Sequence, residues 1–330
     1  MSFTDELRMH IHSPLRPQLM YVAAKLGLAD ILQNGRVCSS EELAAEIGAN
    51  KQALSRVLRA LVMIGILSED NGQFSLTPQG ELLRSDHPNS MRDAAIVNGK
   101  LSAAWNGLLH TVETGETAFD HVFGSGLFEY LANNPDLGEH FKNYISRMTG
   151  RIADAVVTAY DFSPFAYVVD VGGGSGVLLA AVLSRNPSCR GVLFDSPKAF
   201  DNTQKGLAIA RYMDRCELVT GNFFETVPPG GEAYLLQLVL HDWDDERGGL
   251  ILRNCHRAMP AGSKVLIVER LMTEDSPWPA ELIEADLDML VLTGGRERTE
   301  SEIKGLCASA GFKVTNVIYM NYPWAIIEAS

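Results

Sequence analysis

Along residues 17–32, Leu19, Val22, Ala23, Leu26 and Ile31 recur near one helical face, a spacing that predicts an amphipathic helix. Ser39 followed three residues later by Glu42 predicts a capping box at the start of the next helix, which Gly48 ends. Residues 51–64 predict another helix with Leu54, Val57, Leu58 and Leu61 inward. Residues 67–76 then predict a hairpin around Asp70-Asn71-Gly72, because Asn-Gly supplies the positive φ of a tight turn. Thr77-Pro78 predicts a helical restart with proline at its first position. Helix, turn, helix and hairpin form a winged-helix-like pattern.

Residues 90–160 predict mainly helix, rich in aromatic side chains that core packing explains. From about residue 166 the pattern changes. Apolar runs at 167–171, 191–195, 217–220, 234–240 and 264–269 alternate with helical stretches, the signature of an α/β parallel sheet. The run 234–240 is continuously apolar, as in a central strand buried on both faces, and places His241 at its end. A final antiparallel pair is expected at 313–318 and 324–328.

Charge and cysteine content narrow the class. The 330 residues carry a net charge of −13, which repels nucleic acid and anionic membranes unless a basic patch intervenes. Lys51, Arg56 and Arg59 on the second wing-domain helix are offset by Glu41, Glu42 and Glu46, so this is a poor DNA-binding face. No apolar run is long enough to span a bilayer, and residues 1–8 lack a signal-peptide core. Five widely spaced cysteines form neither a disulfide framework nor a zinc pattern. A cytoplasmic protein is expected.

The strongest local signal is Asp170-Val171-Gly172-Gly173-Gly174-Ser175-Gly176 between a β-branched run and an apolar helix. Glycines 172, 174 and 176 let the chain bend sharply and a ligand approach the backbone. A dinucleotide fingerprint would place its third glycine one residue later. Asp170 beside the turn suits a ligand with an amino group and no phosphate. Asp195, about twenty residues on at the next strand tip, stands where an acid meets ribose hydroxyls, and Asn222-Phe223 follow the third strand as a bracket for adenine.

These motifs, with His241-Asp242-Trp243-Asp244-Asp245-Glu246 and Gly294-Gly295-Arg296-Glu297-Arg298-Thr299, resemble in order those of the small-molecule O-methyltransferases. That family includes plant caffeate and flavonoid enzymes and bacterial relatives in secondary metabolism. The resemblance covers nearly the whole chain. It implies a class I methyltransferase-type doubly wound α/β sheet, mostly parallel with one antiparallel strand. A helical winged-helix-like dimerisation domain would precede it. The implied boundaries are 1–100 for dimerisation, 101–160 for a helical connector to the acceptor pocket, and 161–330 for catalysis. S-adenosylmethionine would be the cofactor, S-adenosylhomocysteine its product, and no metal would be needed. Gly172 would lie against its methionine part, Asp195 on its ribose, and Asn222 and Phe223 at its adenine, with Asp170, Gly174 and Gln237 also binding it. The family usually has Asp-Met where this chain has Asn222-Phe223, and plant members often have Lys in place of Gln237.

The implied chemistry is deprotonation of a hydroxyl during methyl transfer. A phenol of pKa about 10 is a poor nucleophile at neutral pH, and a histidine of pKa about 6.5 can take its proton. His241 is the expected base, with Glu269 and Glu297 as the carboxylates that orient it. Acids after His241 suit a helix start better than a metal site. Trp105, Asn106, Met148, Asp242 and Met289 are the candidates for a small aromatic acceptor's pocket. A homodimer through the N-terminal domain is expected. The rival readings are an atypical member performing decarboxylation or hydroxylation, a ligand-sensing winged-helix regulator, and a nicotinamide dehydrogenase.

Overall fold

A computed structural model describes residues 2–12, 14–200, 208–273, 278–321 and 323–330. Internal packing divides the chain into two compact units, Met1–Ala103 with Asn134–Tyr144 and Ala104–Asn133 with Ile145–Ser330.

In the first unit, helices α1 (Phe3–Ile11), α2 (Leu15–Lys25) and α3 (Leu28–Ile31) precede strand β1 (Cys38–Ser39) and helices α4 (Ser40–Ile47) and α5 (Lys51–Met63). The hairpin β2 (Leu67–Asp70) and β3 (Gln73–Leu76) follows, then α6 (Arg92–Leu101). The capping box forms: the Glu42 N–H donates to Ser39 Oγ at 3.2 Å, and the Ser39 N–H donates to Glu42 Oε2 at 2.7 Å. At the hairpin tip Asn71 and Gly72 take φ of 52° and 79°. Three expectations change. The single helix over 17–32 is two, because Gly27 turns left-handed at φ 65° and restarts the chain. The restart at Pro78 is only a 3-10 turn, Gly80–Leu83, whose glycine lies so near β2 that a Cβ would stand 2.2 Å from the Ile66 carbonyl oxygen. The hairpin also gains a third strand, since β1 pairs with β3.

Leu28, Leu32, Leu43, Leu58 and Leu61 make the core of this unit. Helix α2 packs on α6 at Gly99, where a Cβ would come within 2.3 Å of Tyr21 Cβ. Phe3, Leu7 and Ile11 form a stripe along α1 that is 92%, 61% and 67% exposed.

The second unit contains α7 (Leu108–Thr114), α8 (Ala118–Phe123), α9 (Leu127–Asn133) and most of α10 (Pro135–Ala159). Strand β4 (Tyr167–Val171), α11 (Val177–Arg185), β5 (Arg190–Asp195), α12 (Pro197–Phe200), β6 (Cys216–Thr220) and β7 (Ala233–Gln237) follow. Then come α13 (Asp245–Ala258), β8 (Lys264–Met272), α14 (Ala280–Leu292), β9 (Arg298–Thr299), α15 (Glu300–Ser309), β10 (Val314–Tyr319) and β11 (Trp324–Ala329). The sheet order is β10-β11-β8-β7-β4-β5-β6, and β9 pairs only with β8. Strands β4 to β8 are parallel, while β11 runs against both its neighbours. The chain reverses its direction across the sheet between β4 and β7, so a crevice is expected at their C-terminal edge.

Alternation along each strand divides the core. Val169, Val192, Tyr234 and Ile267 pack with α13 and α15 on one face. Val168, Leu193, Leu235 and Leu266 pack with α10 and α11 on the other. Glu269 lies three residues inside the end of β8, not at its tip. The continuous strand expected over 234–240 stops at Gln237: Leu238 takes φ 54°, and His241 sits on a 3-10 turn, Leu240–Asp242. Val239 and Leu240 are nevertheless buried, because the turn folds back into the core.

Among the described residues no helix is long and apolar enough to cross a membrane. Inside the sheet, the Tyr234 hydroxyl donates to the Pro228 carbonyl at 2.7 Å and accepts from the Gly231 N–H at 3.3 Å. Tyr234→Phe leaves that amide unpaired in the core. The expected cost is roughly 1–3 kcal/mol, read as a lower urea midpoint at constant m-value.

Candidate active site

The C-terminal edge of β4 begins with the glycine turn. Gly172, Gly174 and Gly176 take φ of 70°, 56° and 76°, which a side chain would strain. A Cβ on Gly172 would stand 3.0 Å from Val239 and 3.6 Å from Phe223, whereas Gly174 faces open space. Gly173, which spacing alone does not single out, is needed for another reason: its Cβ would fall 2.5 Å from Asp170 Oδ2. Asp170 is buried, and its Oδ2 has no hydrogen-bond partner. Burial, reinforced by the charge of Asp195, pushes its carboxyl up to about 7.

The neighbouring strand tips converge on the same edge. Asp195, at the end of β5, accepts from the Gly174 N–H at 2.8 Å and the Ser196 N–H at 2.6 Å. Asn222, after β6, ties its own turn, accepting from the Phe224 N–H and donating to Glu225, each at 3.0 Å. Phe223 meets Phe224 and Trp243 edge-on at 4.8 and 6.0 Å between ring centroids. Gln237, ending β7, reaches the Thr149 carbonyl at only 3.5 Å.

His241 lies four residues beyond Gln237, 8% exposed. Its Nδ1 is 3.1 Å from Glu297 Oε1 and 3.9 Å from Glu269 Oε2. In the neutral imidazole, two carboxylates beside Nδ1 favour the Nδ1–H tautomer and put the lone pair on Nε2. Asp242 Oδ1 stands 3.8 Å from Nε2. The two glutamates therefore differ. Glu297 bonds the imidazole, while Glu269 Oε1 accepts from the Val239 and Leu240 N–H groups at 3.2 and 3.0 Å. The remaining oxygens, Glu269 Oε2 and Glu297 Oε2, have no hydrogen-bond partner, and the small void among these side chains has no room for a water.

Burial by itself would lower the His241 pKa. The charges of Glu269, Asp242 and Glu297 outweigh it and lift the imidazole to about 9. Burial pushes Glu269 up to about 7 and Asp242 to about 6. Burial pushes Glu297 the same way, but His241 and Arg270 overcome it and hold this carboxyl below its usual range. By distance His241, Glu269 and Glu297 could share a metal ion. Arg270 already supplies a cation, its Nη1 donating to Glu297 Oε1 at 2.9 Å.

The Gly294–Thr299 motif wraps this turn. The Arg296 N–H donates to the His241 carbonyl at 2.9 Å. Arg298 donates to the carbonyls of Leu240 and Trp243 at 2.8 and 2.7 Å. The Glu297 N–H donates to Asp286 on α14 at 2.9 Å. Arg270 and Asp286 escape a reading of the sequence, whereas Gly295 and Arg298 belong to a motif it names without a role for either.

Of the acceptor candidates, Met148 joins the cluster, its Sδ 3.6 Å from Arg270 Nη2. Met289 is half-buried on α14, three residues from Asp286. Trp105 and Asn106 are exposed on the 3-10 segment Ser102–Gly107. Another cavity, of about 560 Å³, is bordered by Leu271, Met272, Lys304, Tyr319 and Trp324 at the end of β8, and no residue of the glycine turn lines it.

A doubly wound sheet with glycine, acid and aromatic side chains at its strand ends beside a buried histidine is the arrangement expected of methyl-transferring enzymes, and the family matches establish that class. Residues 105–313 match the O-methyltransferase domain, and residues 9–86 match the O-methyltransferase dimerisation domain. The phenazine O-methyltransferase PhzM of Lysobacter antibioticus is 47% identical over 315 residues, covering 94% of this chain and 92% of that protein. The crystal structure of LaPhzM superposes with a TM-score of 0.93 at 45% identity, covering 100% and 99% of the two chains. NcsB1 from neocarzinostatin biosynthesis, in complex with S-adenosylhomocysteine and 1,4-dihydroxy-2-naphthoic acid, gives 0.85 at 32% identity, covering 96% and 95%. The chain belongs to this family of S-adenosylmethionine-dependent methyltransferases.

Two predictions follow from the geometry. In Gly295→Ala the new Cβ would stand 2.0 Å from the His241 carbonyl oxygen, so the turn must move. Activity should fall at least tenfold at saturating substrate while the protein remains folded; unchanged kcat would contradict the clamp. Asp170 carries the second. Its carboxyl titrates at about 7 folded against 3.8 ordinarily, so the folded state binds the extra proton between those values and loses stability as pH rises through them. Asp170→Asn removes this loss. Its stability relative to wild type should rise from pH 4 to 8 by up to about 4 kcal/mol, read as a melting temperature that gains on wild type over that range. A difference that does not vary with pH would contradict the assignment.

Proposed function

We propose that the protein methylates a hydroxyl, phenolic in character, of a small aromatic metabolite, with His241 as general base. The observation that carries this reading is the anchoring of His241 Nδ1 by Glu297, which leaves Nε2 to take a proton. The unpaired Asp170 Oδ2 and the open space over Gly174 fit a ligand that brings hydroxyl or ammonium donors. In this reading Gly172 and Gly174 border the amino-acid part of the cofactor, with Asp195 at its ribose, Asn222 and Phe223 at its adenine, and Gln237 alongside. Bound there, S-adenosylmethionine supplies a methyl group made electrophilic by a sulfonium. Nε2 removes the acceptor's proton, and Glu297 balances the charge that the imidazole gains. Glu269 holds the turn that presents His241. Met148, Met289 and Asp242 border the acceptor, while the exposure of Trp105 and Asn106 makes them its rim.

Residues 1–100 serve dimerisation, 101–160 connect, and 161–330 carry the chemistry. The exposed stripe Phe3, Leu7 and Ile11 supports a homodimer, since a single chain leaves it in water. An amine acceptor is the alternative, because relatives include N-methyltransferases. An amine that is already neutral has no need of a base before attack, which separates the two.

In His241→Gln, kcat on a phenolic acceptor should drop about 10²–10⁴-fold while calorimetric affinity for S-adenosylmethionine stays unchanged. A loss under tenfold sinks the role of His241 as base. The base must shed its proton first, and His241 holds it to about 9 in the free protein. Therefore kcat/KM should climb with pH from neutrality to about 9; a profile flat from pH 6 upward would exclude this base.

A further inference from the structure

Arg270 follows Glu269 on β8, where an arginine would ordinarily point to water. Here its side chain is only 18% exposed, and three contacts hold it. Trp324, its cross-strand partner on β11, lies under the guanidinium at 4.6 Å from ring centroid to Cζ. Met148 Sδ receives Nη2 at 3.6 Å, and Glu297 Oε1 receives Nη1 at 2.9 Å. That oxygen is the one that accepts from His241, while Glu297 Oε2 has no partner. One carboxylate oxygen is thus shared between a permanent cation and the imidazole.

The charges around this oxygen come from several packed elements, including Arg296 on the loop before β9 and, paired with Arg298, Asp245 on α13. Strand β8 brings Glu269 and Arg270, the 3-10 turn brings Asp242, and β9 with its preceding loop brings Arg298 and Glu297. Helix α14 brings Asp286, which accepts the Glu297 N–H, and Asp288, which feels Arg270. Carboxylates dominate this neighbourhood. Without a cation on Glu297 they would bind a proton on the imidazole tightly, and a histidine that keeps its proton accepts no other.

We propose that Arg270 is a positioning residue for the base: it fixes the Glu297 carboxylate through the shared oxygen and offsets its charge, so that His241 Nε2 gives up its proton within the working pH range. The inference rests on the reading of His241 as the base. It deepens that reading by adding a residue that no motif marks.

The test is a ¹⁵N-histidine NMR titration of wild type, Arg270→Met and Arg270→Lys, with the His241 signals assigned from His241→Gln. Removing the cation should raise the His241 midpoint by about one to two pH units, or about 10–100-fold in proton affinity, and lysine should restore at least half of the shift. The acid limb of kcat/KM should move by the same amount. Arg270→Gln replaces the methionine variant if that fails to fold. A midpoint that stays put or falls in the neutral variant overturns the role of Arg270, even if activity is lost. A midpoint that rises while the kcat/KM profile stays fixed upholds the Arg270 contact and refutes His241 as the base, so the two failures are distinct.

Discussion

A strand that ends before its apolar run does leaves backbone groups without a sheet partner inside the protein, and this molecule meets that constraint where β7 stops at Gln237. The Val239 and Leu240 N–H groups and the carbonyls of Leu240, His241 and Trp243 would each cost energy if left unpaired. Glu269 takes the two amides, Arg298 two of the carbonyls, and the Arg296 N–H the third. Gly295 lets the second strand of chain approach closely enough for this. The side chains of Glu269 and Arg298 thus act as backbone partners of the turn that carries His241, and the position of the imidazole follows from that.

Such a cluster is costly to bury and more costly to break. A buried ion pair gains little over apolar packing, but deleting one partner strands the other's charge in a dry site. His241, Glu269, Glu297 and Arg270 are all mostly buried, so each depends on the rest. Substitutions here will couple, and single-variant losses will not sum to the value of the cluster.

Much of this was legible in the sequence wherever a local rule decides conformation. Ser39 with Glu42, Asn71-Gly72 and the glycine turn each satisfy a short-range requirement that no distant contact overrides. The failures share a cause. Leu238-Val239-Leu240 read as strand because they are apolar, yet they are buried through a turn that distant residues hold. Gly27 was passed over because its neighbours keep helical periodicity through it. Arg270 carries no signal in the sequence, because an arginine on a strand is usually solvated and only tertiary contact shows otherwise, and the motif that contains Arg298 does not show which carbonyls it meets. Glu269 and Glu297 were both legible as acids near His241, but which of them bonds the imidazole depends on a loop fifty-six residues away in sequence.

The same turn also meets the glycine loop. Val239 is the side chain that a Cβ on Gly172 would strike, and it stands two residues before His241. Because Glu269 pins the N–H of Val239 and of its neighbour Leu240, the wall over the glycine turn and His241 belong to one tethered backbone segment. Reactions that join two bound partners gain most of their rate from holding those partners in register. A segment only three residues long, from Val239 to His241, leaves little freedom between the two sites it borders. This gives a physical reason for a left-handed Leu238: the strand must break there so that one short turn can serve both.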